Sequence, residues 1–475
     1  MGGMTEPTTD PAVVAALQPS FLDSINWGQA LPSGAISVYF ATAGERFDGV
    51  RSVGWSAYEQ GQVMLAFEQF ANVCDVSFSI ATDQSAATLT MVNKATAAGY
   101  LGYFNPPGTR GEGIGVMNQG GQGWDEDLPG TGGLEQGGYA FVTMIHEFGH
   151  ALGMAHPHDA GGTSTIWEGV TRPFNSLGTF KLNQGIYTTM SYNDGWVKYP
   201  GGANTANEYG WQGTMMGFDV AMLQELYGAN MGFATGDNTY EIADANVSGT
   251  YFACIWDAGG QDTMAYSGVR NVTIDLRAAH LGYAEGSGGY ISFAKGIYGG
   301  FTIANGVVIE DASGGGGRDV IIGNEAGNSL SGNDGNDVMA GLGGRDNLLG
   351  GAGRDVLVGG DGADRLAGGG GADAFVYQSL SDSGLTKSSY DQINGFVSGS
   401  DVIDLRTIDA RVGGTADDVF TWIGTAGFSG AQGQLRWVDT GPGVMVSGDI
   451  TGDGFADFKI YLAGTAGLMQ GDFLL

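Results

Sequence analysis

From Gly314 to Val376 the chain divides without a gap into seven nine-residue units: GGGGRDVII, GNEAGNSLS, GNDGNDVMA, GLGGRDNLL, GGAGRDVLV, GGDGADRLA and GGGGADAFV. The sixth position runs Asp319, Asn328, Asp337, Asp346, Asp355, Asp364, Asp373. The eighth is always apolar: Ile321, Leu330, Met339, Leu348, Leu357, Leu366, Phe375. A unit this short cannot enclose a core alone, so a sustained period demands stacked coils. Glycine allows turns with positive φ whose carbonyls point inward. Aspartate supplies hard anionic oxygen, which suits calcium. The last three residues of each unit form a short strand whose single apolar side chain fills the coil. Two units make one coil, so residues eighteen apart stack and share ions. This is the glycine-rich calcium repeat of parallel β-helices. A flexible linker would not hold register for seven units.

The expected calcium ligands follow unit by unit. They are Gly315, Gly317 and Asp319; Gly335 and Asp337; Gly344 and Asp346; Gly351, Gly353 and Asp355; Gly360, Gly362 and Asp364; and Asp373. The second unit departs, with Ala326 and Asn328 in place of glycine and aspartate, so its ion is expected to be weaker or absent. The 63 residues of the repeat hold 21 glycines and eight aspartates. Part of the net charge of −32 is therefore the charge of empty calcium sites. Such a surface repels nucleic-acid phosphate and anionic lipid, which makes both poor partners, while it attracts cations.

Upstream the pattern changes. Residues 1–20 are polar and proline-punctuated and read as a leader or propeptide. Residues 21–232 look like a mixed α/β unit. Ala35–Phe40 and Val76–Ile80 alternate as strands, while Ala57–Val73 carries helical spacing. Residues 104–138 are loop-rich. Tyr139–Leu152 and Phe218–Tyr227 are expected helices, the latter stopped by Gly228. Helical periodicity ends after Gly232. The boundary falls near 232–236, and 233–475 is expected to be all-β.

Five histidines occur in the chain, and three of them lie in His146-Glu147-Phe148-Gly149-His150-Ala151-Leu152-Gly153-Met154-Ala155-His156. On a helix His146 and His150 share a face and can bind one metal. Gly153 lets the chain turn and bring His156 round as third ligand. Three neutral nitrogens with an open position describe a catalytic zinc site rather than a closed structural one. Glu147 stands beside the first ligand, placed to act on water rather than to ligate. His158 and His280 receive no role. Cys74 and Cys254 each sit in a short apolar run and are expected to be buried thiols.

The elongated histidine motif resembles the metzincin zinc peptidases, whose second marker is a methionine turn beneath the metal. Here that turn is Thr188-Thr189-Met190-Ser191-Tyr192. Together with Leu226-Tyr227-Gly228-Ala229-Asn230 and the repeats, it resembles the serralysins, secreted bacterial metalloproteases. The resemblance implies an α+β fold: a metzincin-like protease domain, with a mixed sheet and active-site helix, followed by an all-β parallel β-roll or β-sandwich domain. It implies one catalytic Zn2+, several structural Ca2+ and endopeptide hydrolysis of protein substrates. Met190 becomes structural, as does Gly153, and Tyr192 a fifth, displaceable zinc ligand that can hydrogen-bond an oxyanion. A ring merely packing beside the site is the plainer reading of Tyr192.

Further calcium ligands are implied at the junction: Gly236 and Asn238, the stretch Asp257, Gly259, Gly260 and Asp262, and Glu310. Ala234 and Asn238 depart from the family's turn, which puts a side-chain ligand at 238 in doubt. Asp449-Ile-Thr-Gly-Asp453-Gly looks like half an EF-hand loop, but Ile460 stands at position twelve, so a hairpin turn is expected. The first basic residue is Arg46, Ala12–Leu17 is too short for a signal-peptide core, and no apolar stretch suits a membrane helix. The terminal Asp472-Phe473-Leu474-Leu475 resembles the uncleaved signal by which serralysins leave the cell through an ABC-type exporter. The resemblance thus implies an extracellular monomer without membrane insertion, and a dedicated protein inhibitor as a further partner. Two other classes compete: a calcium-repeat binding protein with an inactive metal site, and a repeat-bearing lipase. The lipase lacks any Gly-x-Ser-x-Gly elbow.

Overall fold

The computed structural model describes residues 21–475 except 97–98, 126, 195–203 and 414–417. The expected leader, 1–20, lies outside the described residues. The first half is built on a five-stranded sheet. Its order is Val76–Ile80, Gly34–Phe40, Leu89–Lys94, Ile114–Asn118, Gly102–Phe104, with the first four parallel and the last antiparallel at the edge. Ile114–Asn118 is a strand inside the stretch expected to be loop. Its buried Val116 and Met117 are too short a run to signal a strand amid glycine.

Three helices accompany the sheet: α1 (Ala57–Val73), α2 (Tyr139–Ala151) and α3 (Gly217–Tyr227). A capping box starts α1, with Ser56 Oγ accepting from Glu59 N and Glu59 accepting from Ser56 N. The same Glu59 accepts from Asn93 and from the Trp124 indole, tying the helix start to the sheet. Helix α2 buries Phe141, Met144, Ile145 and Phe148, and Phe148 stacks on Phe67 of α1 at 3.9 Å between ring centroids.

The second half contains two long sheets of eight and eleven strands. Repeat strands alternate between them, and each pairs in parallel with the strand eighteen residues on: Val338 with Val356, Asn347 with Arg365. Ile321, Leu330, Met339, Leu348, Leu357, Leu366 and Phe375 are all buried between the sheets. The stack outlasts the repeat. Asp391–Asn394 and Val402–Asp404 continue it, and Phe473–Leu474 pairs with Ile403–Asp404 at the end. Asp472 accepts from Ser398, Gly399 and Met469, so the expected export signal is packed into the roll. The Asp449 loop is a hairpin turn with Ile460 in the core, as expected. Buried apolar contacts run on from the first half into the second, and Gln212 bridges to Phe252. Cys74 and Cys254 are free and buried. Among the described residues no helix is long and apolar enough to cross a membrane.

Candidate active site and carboxylate ladder

Helix α2 places His146 and His150 one turn apart. At its end Gly153 takes φ +92°, and a Cβ there would lie 2.3 Å from the Gln29 carbonyl oxygen. Only glycine satisfies both conditions. The returning chain then runs beside Ile25–Trp27, with Trp27 N donating to Gly153 O and Ala155 N to Ile25 O. This seats His156 opposite the helix.

Each ring is oriented by its Nδ1. His146 Nδ1 lies 2.7 Å from Thr189 O, His150 Nδ1 3.0 Å from Met154 O, and His156 Nδ1 2.6 Å from Asp159 Oδ2. A carbonyl or carboxylate oxygen can only accept, so Nδ1 carries the hydrogen and Nε2 the lone pair. The Nε2 atoms of His146 and His150 lie 3.1 and 2.9 Å from that of His156. Three lone pairs facing one another this closely repel unless a cation lies among them. Burial also pulls the imidazoles down, to about 3 for His146 and His150 and about 4 for His156, which keeps them neutral. The donor set, three imidazole nitrogens, fits a zinc ion.

Beneath the histidines lies the methionine turn. Met190 is fully buried, and a Cβ on Gly149 would come within 2.6 Å of its sulfur. The turn is held by Asp219 in the first turn of α3. Its carboxylate accepts from Thr188 Oγ1, Thr189 N and Oγ1, and Met216 N at 2.6–3.0 Å. Burial raises this carboxyl to about 6 against those four bonds. Asp219 thus positions Thr189, whose carbonyl orients His146. Asp159, Asp219 and Gly149 were not singled out in the sequence. An acid three residues past His156 was a readable signal for Asp159, whereas Asp219 acts across 30 residues and leaves none.

Glu147 follows His146 on the same turn and faces a cleft of about 360 Å3 lined by Gly102, Val142, His146, Tyr192 and Trp211. Burial raises its carboxyl to about 8, with the Phe104 backbone N–H opposing. The Tyr192 ring packs 4.7 Å from His156, 5.4 Å from His146 and 4.6 Å from His158. Burial, then the charges of Glu147 and Asp159, lifts its phenol to about 12, so it remains a hydrogen-bond donor.

The roll carries a second constellation. From Asp337 to Asp373 each sixth-position aspartate turns one oxygen to the backbone N–H eighteen residues earlier, while Asp319 reaches back 47 residues to Val272 N. Asp337, Asp355, Asp346 and Asp364 accept in this way from Asp319, Asp337, Asn328 and Asp346. The other oxygen, Oδ2, of Asp337, Asp346, Asp355, Asp364 and Asp373 is buried without a partner. It occupies the space a side chain would need at the unit's first residue. A Cβ on Gly332, Gly341, Gly350, Gly359 or Gly368 would lie 2.1–2.5 Å from it. Carbonyls of the fourth position point along the stack: a Cβ on Gly353 would lie 1.4 Å from Gly335 O. These orphaned carboxylate oxygens beside inward carbonyls suit calcium. Asp319 differs, since its Oδ2 accepts from Gly315 N.

The junction residues belong to the same column. Asn238 N donates to Asp262 Oδ1 and Asp262 N to Glu310 Oε2, while Asp262 Oδ2 and Asn238 Oδ1 are buried orphans. A Cβ on Gly260 would meet Gly236 O at 2.4 Å. Asp257 accepts instead from Gly259 N and the Tyr240 hydroxyl. At the other end Asp391 and Asp401 extend the two columns, accepting from Asp364 N and Asp373 N. Asn328 breaks its column, because its amide donates to Glu310 O and Asn324 Oδ1.

Residues 223–475 match the family profile described as "Peptidase M10 serralysin C terminal". Over 433 residues the chain is 34% identical to "Metalloprotease AprA" of Pseudomonas entomophila (strain L48), covering 87% of this chain and 79% of that one. It is 33% identical over 434 residues to "Metallopeptidase AprA" of Pseudomonas marginalis, with the same coverage. It is 41% identical over 301 residues to "Serralysin" of Proteus mirabilis, 61% of this chain and 55% of that one. The chain belongs to the serralysin family and is a metalloendopeptidase.

Proposed function

We propose that this is a secreted zinc endopeptidase whose protease half, 21–232, precedes a calcium-held roll, 233–475. The convergence of three histidine lone pairs beside Glu147 carries the reading. His146, His150 and His156 would hold the zinc, with Tyr192 as a displaceable further ligand. Zinc bound there supplies Lewis-acid polarisation of the scissile carbonyl and a lowered pKa for water. Glu147 takes the proton of the attacking water and later delivers it to the leaving amine. The protonated Tyr192 phenol donates a hydrogen bond to the oxyanion. Asp159, through His156, and Asp219, through Thr189, hold the rings in place.

Glu147→Ala is expected to fold, to bind one zinc, and to cleave casein about 10³-fold more slowly or worse. Near-wild-type cleavage by that variant would remove Glu147 from the mechanism.

In the roll, the orphaned oxygens and inward carbonyls would hold several calcium ions. Binding there is folding free energy, so the roll would stay unfolded where calcium is scarce. Export through an ABC-type exporter by way of the C-terminus, a monomeric state and a dedicated protein inhibitor follow from the family resemblance.

A further inference from the structure

A large cavity lies away from the histidines. It is an open groove of about 870 Å3 on the roll, and its lining includes Arg345, Arg365, Lys387, Tyr390, Gln392 and Tyr461. It shares no lining residue with the catalytic cleft. The chain has only 19 lysines and arginines, and three of them meet here. Among the described residues no ion pair engages these three. The one acid in the lining, Asp364, is 1% exposed and bonded into the ladder, where it feels the Arg345 charge.

Register explains the assembly. Asn347, Arg365, Gln392 and Tyr461 are successive partners across four strands. They alternate with the buried Leu348, Leu366 and Ile393, so their side chains form a row on the outer face. Arg345 precedes that row on the same side. Its guanidinium donates to Ser388 O at 3.4 Å, which ties the turn carrying Lys387 and Tyr390 against the row. The Tyr390 and Tyr461 rings lie 6.3 Å apart, tilted by 54°.

We propose that this groove binds a linear carboxylated polysaccharide, a polyuronate, and so anchors the enzyme on it with the catalytic cleft open. The guanidinium and ammonium groups pair with carboxylates. The tyrosine faces pack on the apolar faces of sugar rings. Gln392 and Ser388 offer partners to the hydroxyls. Along the row, spaced by the interstrand step of about 4.8 Å, one cation, one amide and one aromatic ring follow each other: Arg365, Gln392 and Tyr461. An extended acidic peptide offers carboxylates, but neither sugar faces for Tyr390 and Tyr461 nor ring hydroxyls for Gln392 and Ser388. Nucleic acid, with one charge per about 1.7 Å of axis, is repelled by the rest of this acidic surface.

The test is calorimetric titration of the full chain at fixed free calcium, because polyuronates themselves take up calcium. The probes are oligogalacturonate, its methyl ester and poly-glutamate. Oligogalacturonate is expected to bind, poly-glutamate at least tenfold more weakly, and the ester not at all. The triple variant R345Q/R365Q/K387Q is expected to lose at least tenfold in affinity and Tyr461→Ala about threefold, both with casein cleavage unchanged. Should the triple variant fail to fold, Lys387→Gln on the exposed turn carries the same test, with about a threefold loss. Binding that survives these substitutions overturns the groove. Equal affinity for poly-glutamate overturns the saccharide, and no binding by the parent chain overturns both.

Discussion

The histidine centre and the aspartate ladder both aim unpartnered lone pairs at one place, yet they reach that arrangement by opposite routes. The histidines are neutral, and each is held from behind by an oxygen: Thr189 O, Met154 O or Asp159. Those oxygens sit on a scaffold of stacked aromatics and buried methionines, side chains that carry no charge. The ladder has one buried apolar side chain per nine residues, and its ligands carry charge. There the carboxylates oppose the fold until something neutralises them. In the proposed reading an ion is a reagent in the first region and a structural member in the second.

The sharpest way to break that contrast is selective chelation of the full chain. A zinc chelator in excess calcium is expected to abolish casein cleavage and leave the circular dichroism unchanged. A calcium chelator is expected to remove much of the strand signal of the roll. Strand signal that persists in calcium chelator would make the two regions alike. Next in size, Asp159→Ala is expected to weaken zinc binding about 10–100-fold, with calcium-dependent folding unchanged. Zinc competition titration reads the first and circular dichroism the second.

The pH response should differ in sign. Burial lifts Asp337 and Asp364 to about 6, Asp346 to about 7 and Asp391 to about 8, all above the unfolded value of about 3.9. A raised folded-state pKa stabilises the protonated fold. That contribution is complete below the unfolded pKa and is lost as pH rises through 6 to 8. In chelator, acidification from pH 8 to 5 is therefore expected to restore strand signal. In calcium, protons compete with the ion, and the same change should weaken the roll. A chelated roll that melts further at pH 5 contradicts this. Smallest of all, Asn328→Asp should complete its column and lower the calcium midpoint about threefold. An unchanged midpoint would show that the gap at 328 holds no ion in either form.

Much of this was legible in advance where chemistry and spacing are local. Ala57–Val73 forms the expected helix residue for residue, and the eighteen-residue stacking and the metal-binding faces of His146 and His150 follow from period alone. What the period alone does not reach is the continuation of the columns across variable loops. Asn238, Asp262 and Glu310 lie in one column with the repeats, but 24 and then 48 residues separate them. Asp391 and Asp401 continue the columns at intervals of 27 and 28. A fixed-period reading stops at Val376 because the chain inserts loops there while the hydrogen bonds keep their pattern. The glycine that opens each unit was visible as composition. Its cause, an aspartate oxygen in the place of a Cβ, needed coordinates.

Alternate strands of the repeat enter opposite sheets, and within the repeat each column aspartate from Asp337 on bonds to the residue eighteen before it. Length in this region is therefore quantised. Removing 341–358 would leave every later residue on its own sheet and in its own column. Removing nine residues would transpose the two sheets for the rest of the chain and carry Asp391, Asp401 and the closing strand Phe473–Leu474 to the wrong side. Insertions and deletions here should be tolerated in steps of eighteen, so the number of coils can drift one at a time between relatives while the parity of the nine-residue units cannot change.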